Sequence, residues 1–194
     1  MKPLQWLSKK GALLLLFTPM IASMSMAQVK FGTKDDLNIL ISGTSTLHDW
    51  DMKDAKGQCT AVFVLNDEGK PTGLKSLYLT IPAEGLKSGH SGMDKNAYKS
   101  LKTSANPNIT YTLTSATVGQ DGVIKSTGKL TIAGATTDAA LVTNYKMNAD
   151  KSITVNGMKK LSMSDFNMEP PTFMMGAIKT GNDIVLKFDV TLNK

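Results

Sequence analysis

A chain of 194 residues carries 22 basic side chains against 16 acidic ones, and every basic residue is a lysine. With no arginine there is no planar fork for bidentate contact to phosphate or base edges, which counts against a nucleic-acid reader. A single cysteine, Cys59, excludes an internal disulfide.

Residues 1–27 read as a signal peptide. Lys2, Lys9 and Lys10 form a basic start, Gly11 to Ala22 is apolar, and Ser25-Met26-Ala27 offers small residues before a cut at Gln28. The apolar run is shorter than the roughly 20 residues of a spanning helix. No cysteine lies near the cut, which argues against a lipoprotein anchor. The expected destination is the periplasm, with an extracellular one second. The remainder, 28–194, reads as one domain. Without lysines 2, 9 and 10, its 19 lysines face 16 acids, so much of the formal +6 belongs to the leader.

The first distinctive segment is the octet Gly43-Thr-Ser-Thr-Leu-His-Asp-Trp50, which follows an apolar strand pattern at Ile39-Leu40-Ile41. It holds one of two histidines and the only tryptophan outside the leader. A Ser45–His48–Asp49 relay, a metal site on His48, Asp49 and Asp51 with His90, and a pocket mouth all have to be weighed. A hydrolase nucleophile would want a Gly-x-Ser-x-Gly elbow, which the octet lacks. There is no His-x-His, Glu-x-x-His or cysteine pair for a dedicated metal site. Thr44, Ser45 and Thr46 suit local hydroxyl-to-backbone bonds. Read as a continuing strand, Ser45 and His48 face opposite ways, whereas His48 and Trp50 share a face. That pair either plugs a sheet end or stands at a ligand mouth, His48 toward a polar headgroup and Trp50 toward the first apolar units. Neither an enzyme nor a cofactor is expected.

Downstream, period-two alternation dominates. Segment 57–65 reads as a strand, with Cys59 as a small buried hydrophobe. Leu77, Leu79 and Ile81 alternate with Ser76, Tyr78 and Thr80, and Ile109, Tyr111 and Leu113 with Thr110, Thr112 and Thr114. Segments 123–133, 139–147 and 152–159 follow, and 184–192 alternates most cleanly. Turn signals fall at 66–71, 119–122, 148–150 and Gly181-Asn182-Asp183. Ser91-Gly92-Met93-Asp94 predicts a capping box, with Ser91 as N-cap of a short amphipathic helix running to about Thr103. Pro170 and Pro171 exclude a central strand, yet Phe173, Met174 and Met175 are apolar, as in a loop folded over a cavity or a dimer contact. Many short strands with one helical insertion predict an all-β antiparallel barrel or sandwich.

Several stretches together resemble the YceI-like family of secreted, lipocalin-like proteins associated with polyisoprenoid binding. The octet Gly43–Trp50 is similar to a variant of its N-terminal strand end, and Ser88-Gly89 with Met93-Asp94 and Leu101 to its helical insertion. Gly128-Lys-Leu-Thr-Ile-Ala-Gly134 with Thr136-Thr137 and Leu141 resembles its Gly-x-Leu-Thr-x-x-Gly-x-Thr strand and turn. Met163-Ser-Asp-Phe-Asn-Met168 resembles its late Asp-Phe-Gly-like segment, with Asn167 where glycine is commoner. The likeness spans about 36–193.

It implies an eight-stranded antiparallel lipocalin-like β-barrel whose apolar interior holds an isoprenoid tail. The ligand would be a quinone or polyprenyl phosphate type, with exchange at a membrane surface and a homodimer both open. A ligand-free structural or interaction module is the rival reading. Candidate ligand contacts are His48, Trp50, Leu79, Ile81, Tyr111, Leu113, Phe166, Met168 and Phe173.

Overall fold

The computed structural model describes residues 27–34, 37–54 and 56–194, with the backbone alone described at Asp54. The expected signal peptide therefore lies outside the described residues except for Ala27, which opens the first strand. Eleven strands follow: β1 (Ala27–Gly32), β2 (Asn38–Ser45), β3 (Trp50–Asp54), β4 (Gln58–Leu65), β5 (Pro71–Pro82), β6 (Asn108–Val118), β7 (Val123–Ile132), β8 (Ala135–Met147), β9 (Ile153–Ser162), β10 (Thr172–Phe173) and β11 (Ile178–Leu192). One helix, α1 (Ser91–Leu101), lies between β5 and β6. All strand pairs are antiparallel, in the order β1-β4-β5-β6-β7-β8-β9-β11-β2-β3, with β10 pairing β11. The fold is all-β and barrel-like with one short helix. Among the described residues it has eleven strands rather than the eight expected.

The surplus has identifiable origins. The β1–β4 ladder ends with Gly32 opposite Thr60, and the β2–β3 ladder resumes with Ile39 opposite Asp54, offset by one residue. Thr33 bridges the break, its N–H donating to the Cys59 carbonyl at 3.0 Å and its hydroxyl accepting from the Cys59 N–H at 3.1 Å. The third extra strand, β10, is a two-residue edge after Pro171. At the far seam β11 pairs β2, and Gly32 exchanges hydrogen bonds with Asn193 at 2.7 and 2.8 Å.

Two local expectations need correction. Gly181-Asn182-Asp183 is not a turn but lies within β11, where the register against β2 shifts between Thr180 and Ile184. The side chains of Asn182 and Asp183 bond Ser164 and Ser162 instead of closing a turn. Nor is Ser91 an N-cap, since it is the first helical residue and His90 precedes it without a side-chain cap bond. Asp94 instead reaches outside the helix, where its Oδ1 accepts from the Ser88 N–H at 2.8 Å and the Ser88 hydroxyl at 2.7 Å. The acid thus ties down the chain entering α1, in place of the reciprocal bond of a capping box. The helix ends at Lys102 in the left-handed region.

One part of the core lies at the end where β1, β4, β9 and β11 meet. Phe31, Phe63, Ile153 and Leu192 are almost wholly buried there. Phe31 and Phe63 stack edge to face with centroids 5.6 Å apart, a geometry that adds about 0.5–1.5 kcal/mol beyond burial. The opposite end is covered by α1, the segment 163–171 and the β10–β11 hairpin. One wall is only partly laced. The β8–β9 ladder runs from Met147 opposite Ile153 to Thr143 opposite Gly157 and stops, although β8 begins at Ala135 and β9 continues to Ser162.

Candidate functional site

Strand parity sends one set of side chains from each strand inward, and two apolar cavities remain between them. The outer cavity has a volume of about 360 Å³ and lies under α1 and the β10–β11 hairpin. The inner cavity, about 140 Å³, lies within the curled sheet. Ile41, Leu86, Ile109, Ile132 and Ile184 line both, so the two apolar chambers adjoin.

Each of the nine residues singled out from sequence lines one or the other chamber. His48, Trp50, Phe166, Met168 and Phe173 fall on the outer chamber. Leu79, Ile81, Tyr111 and Leu113 fall on the inner one. The last four come from two adjacent strands, with Leu79 opposite Tyr111 and Ile81 opposite Ile109. The short amphipathic helix, expected from sequence to lid one end of the sheet, also contributes to the wall. Its Met93, Ala97 and Leu101 line the outer chamber although they were not among the candidate contacts. Their i, i+4, i+8 spacing carried that signal. Phe188, Leu186 and Val155 in the inner chamber were equally legible as alternating strand positions.

The octet folds differently from a continuing strand. Residues 46–49 form the loop between β2 and β3. Ser45 Oγ donates to the His48 carbonyl at 2.7 Å and accepts from the Leu47 and His48 N–H groups at 3.2 Å. The parity argument fails here, because the chain turns at Ser45 before reaching His48. The hydroxyl is committed to backbone rather than to an imidazole, which is a turn-forming role. His48 is exposed, and its Nδ1 sits 2.6 Å from the Asp49 carbonyl, which makes Nδ1 the protonated nitrogen.

Trp50 pairs Gly43 across the hairpin and donates its Nε1–H to the Thr44 carbonyl at 3.0 Å. A Cβ at Gly43 would stand 2.2 Å from the indole, so the ring lies flat where only a glycine permits it. With its N–H satisfied inside the hairpin, Trp50 offers the outer chamber an apolar face. His90 lines the same chamber, bringing both imidazoles to it. Among the described residues no three His, Cys, Asp or Glu side chains converge as metal ligands.

α1 is held in place from outside the cavity. The Tyr98 hydroxyl donates to the carbonyls of Glu84 and Leu86 at 3.0 and 2.9 Å and accepts from Lys87 Nζ at 2.6 Å. On the far side of the chamber, Asn167 adopts φ 52°, ψ 35° after the 3-10 turn 163–166. Asparagine tolerates this left-handed conformation better than most non-glycine residues. The turn buries Phe166 and delivers Met168 to the wall.

In the inner chamber Cys59 is buried, and desolvation pushes its thiol up to about 12. It is therefore a neutral wall residue. The Tyr111 ring lies over Gly128, where a Cβ would meet the phenol at 2.5 Å. At the rim of the outer chamber three large apolar side chains stand in solvent: Leu47 is 65% exposed, Met174 76% and Met175 109%.

This geometry coincides with a family pattern. A model of the YceI-like domain matches residues 28–192. The chain belongs to the YceI-like family. Solved structures place its fold among related ones. BcnA of Burkholderia cenocepacia is 17% identical, with a TM-score of 0.65 over 80% of this chain and 96% of that one. A YceI protein of Campylobacter jejuni is 21% identical, with a TM-score of 0.56 over 96% and 99%. A polyisoprenoid-binding domain from Saccharophagus degradans, implicated in plant cell wall breakdown, is 13% identical, with a TM-score of 0.59 over 86% and 99%. No curated protein matches the chain. At these identities the likeness establishes the YceI-like fold alone.

Proposed function

We propose that this YceI-like chain is an exported, periplasmic lipid-binding protein that holds a long isoprenoid-type lipid, of the quinone or polyprenyl phosphate kind, in its two adjoining chambers. The observation that carries this reading is the pair of adjoining apolar chambers, of about 360 and 140 Å³, which share five aliphatic residues. The outer chamber alone lies within the roughly 300–1,000 Å³ of ordinary ligand sites. Each methylene buried contributes about 0.8 kcal/mol, and ordering the tail offsets part of the total. Such a ligand needs few polar contacts, in keeping with the apolar lining. The polyisoprenoid-binding name of the Saccharophagus neighbour supports the lipid class. Export rests on the pattern of residues 1–27.

The barrel belongs to the same proposal. Because β1–β2 and β3–β4 share one nearly continuous register, we count each pair as a single broken strand. With β5 to β9 and β11 that gives an eight-stranded ring, with β10 as an appendage. Eight strands enclose just enough room for one small ligand.

Loading would take place at a lipid surface. Met174 and Met175 sit at the β10–β11 tip with φ of 49° and 55°. Left-handed backbone costs such residues about 1–2 kcal/mol each. A strained tip that presents two methionines beside Leu47 suits contact with acyl chains, and a second copy of the chain is the other occupant to test. Polyprenol at about 100 times Kd should raise stability by about 2.7 kcal/mol, a thermal shift of about 5–10 °C for a domain this size. Native mass spectrometry should show the lipid leaving with the protein. Protein that carries no extractable lipid and gains no thermal stability from polyprenols would refute the reading, leaving a ligand-free interaction module.

A further inference from the structure

The wall between β8 and β9 opens into a fork. Their last rung sets Thr143 opposite Gly157, and Val142 and Met158 are the first residues beyond it. From there β8 pairs β7 alone along 135–142, and β9 pairs β11 alone along 158–162. Each strand therefore keeps one flank of backbone N–H and C=O groups with no strand beside it. Such a flank is a template for a further strand. A hollow of about 380 Å³ separates the two, lined by Thr137, Asp138, Lys159, Lys160 and Asp165 among others.

The side chains at the fork form a second, independent pattern. Val142 is 64% exposed and Met158 60%, and neither lines the outer or the inner chamber. Lys125 stands directly opposite Val142 on β7, and Lys187 directly opposite Met158 on β11. Residues paired in this way share a face of the sheet. Lys160 lies two residues along β9 from Met158, on the same side, and all three lysines are exposed. Among the described residues none of the three takes part in an ion pair. Of the acids on this face, Asp138 is held by Lys129 at 2.8 Å, and Asp189 lies two residues along β11 from Lys187. An apolar pair set among free cations is complementary to an apolar segment that carries carboxylates.

We propose that the fork is a docking site for an extended acidic segment of a partner protein, which adds as a strand along the free flank of β8. Apolar side chains of that segment cover Val142 and Met158, and its carboxylates meet Lys125, Lys160 and Lys187. The open backbone flank favours a polypeptide over an anionic lipid surface. Only a second backbone offers donors and acceptors at the spacing of a strand edge. The site faces away from both chambers, so it stands or falls independently of the lipid reading.

The test uses the intact protein and a fluorescent peptide of alternating valine and glutamate. Two controls are the same peptide N-methylated at alternate residues and a valine–lysine counterpart. The acidic peptide should bind at least about tenfold more tightly than either, since one control lacks the edge hydrogen bonds and the other reverses the charge. Amide exchange along 135–142 should slow in the complex, and added salt should weaken it. Replacing both Val142→Ser and Met158→Ser should lower affinity at least about tenfold at unchanged thermal stability, because both side chains already stand mostly in solvent. Lys125→Gln with Lys187→Gln should flatten the salt dependence. No binding of the acidic peptide, equal binding of its N-methylated form, or protection only outside 135–142 overturns the proposal. Capture by anionic phospholipid vesicles that is lost with Val142→Ser and Met158→Ser, without peptide binding, assigns the patch to a membrane and overturns it as well.

Discussion

The two ends of this barrel are built from the same alternating strands and have opposite characters. At one end Phe31, Phe63, Ile153 and Leu192 fill the space, and none is more than 1% exposed. At the other, a helix, a proline-bounded loop and a two-residue strand replace the packed side chains, and a 360 Å³ cavity stays open. The difference lies in what spans the top. Strands that continue in register bring large side chains into contact, whereas Pro170, Pro171 and the 3-10 turn 163–166 hold the covering segments out of the sheet.

The sharpest way to break this contrast is a pair of matched truncations. Phe63→Ala should cost about 3–5 kcal/mol in denaturant unfolding, because a fully buried ring leaves a cavity. Phe173→Ala, on the half-buried lip, should cost far less while weakening polyprenol binding. Equal losses would mean that the open end is core too.

A smaller effect comes from the inner wall between the two ends. The Cys59 thiol ionises near 9.0 ordinarily and near 12 in the fold. The folded state therefore holds its proton longer. This stabilisation is fully present below pH 9 and is lost as pH rises from about 9 to 12. Unfolding free energies across that interval should fall less steeply in Cys59→Ala, by at most one proton. An unchanged slope would place the thiol in water.

The smallest effect is at the rim. Met175→Gly should stabilise the empty protein by up to about 1–2 kcal/mol through relief of its left-handed backbone, and should lower retention on phospholipid vesicles. Vesicle binding unaltered by Met175→Gly and Met174→Gly would remove the tip from the exchange step.

Much of this was legible in the residues. Period-two alternation located β4 to β9 and β11, and inward parity placed Leu79, Ile81, Tyr111 and Leu113 on one wall. What alternation does not encode is interruption. The break after Gly32 follows no periodic signal, and the bulge hid Gly181-Asn182-Asp183 inside a strand. The octet misled for a related reason: hydroxyl capture of backbone by Ser45 turned the chain, and parity holds only while a strand continues. The close approach of Tyr111 to Gly128 depends on what surrounds its ring in space, which no local pattern contains.

The seam between β2 and β11 carries a kinetic consequence. It joins residues 38–45 to residues 180–189, so this pairing forms only after nearly the whole domain has been made. Until then β2 offers one unpaired edge, and the other waits on β9. Contacts this distant in sequence fold slowly, and open edges are where strands of separate chains find one another. The fifteen residues of β11, Ile178–Leu192, are thus the clasp of the molecule, and a chain cut short before them would keep both edges exposed.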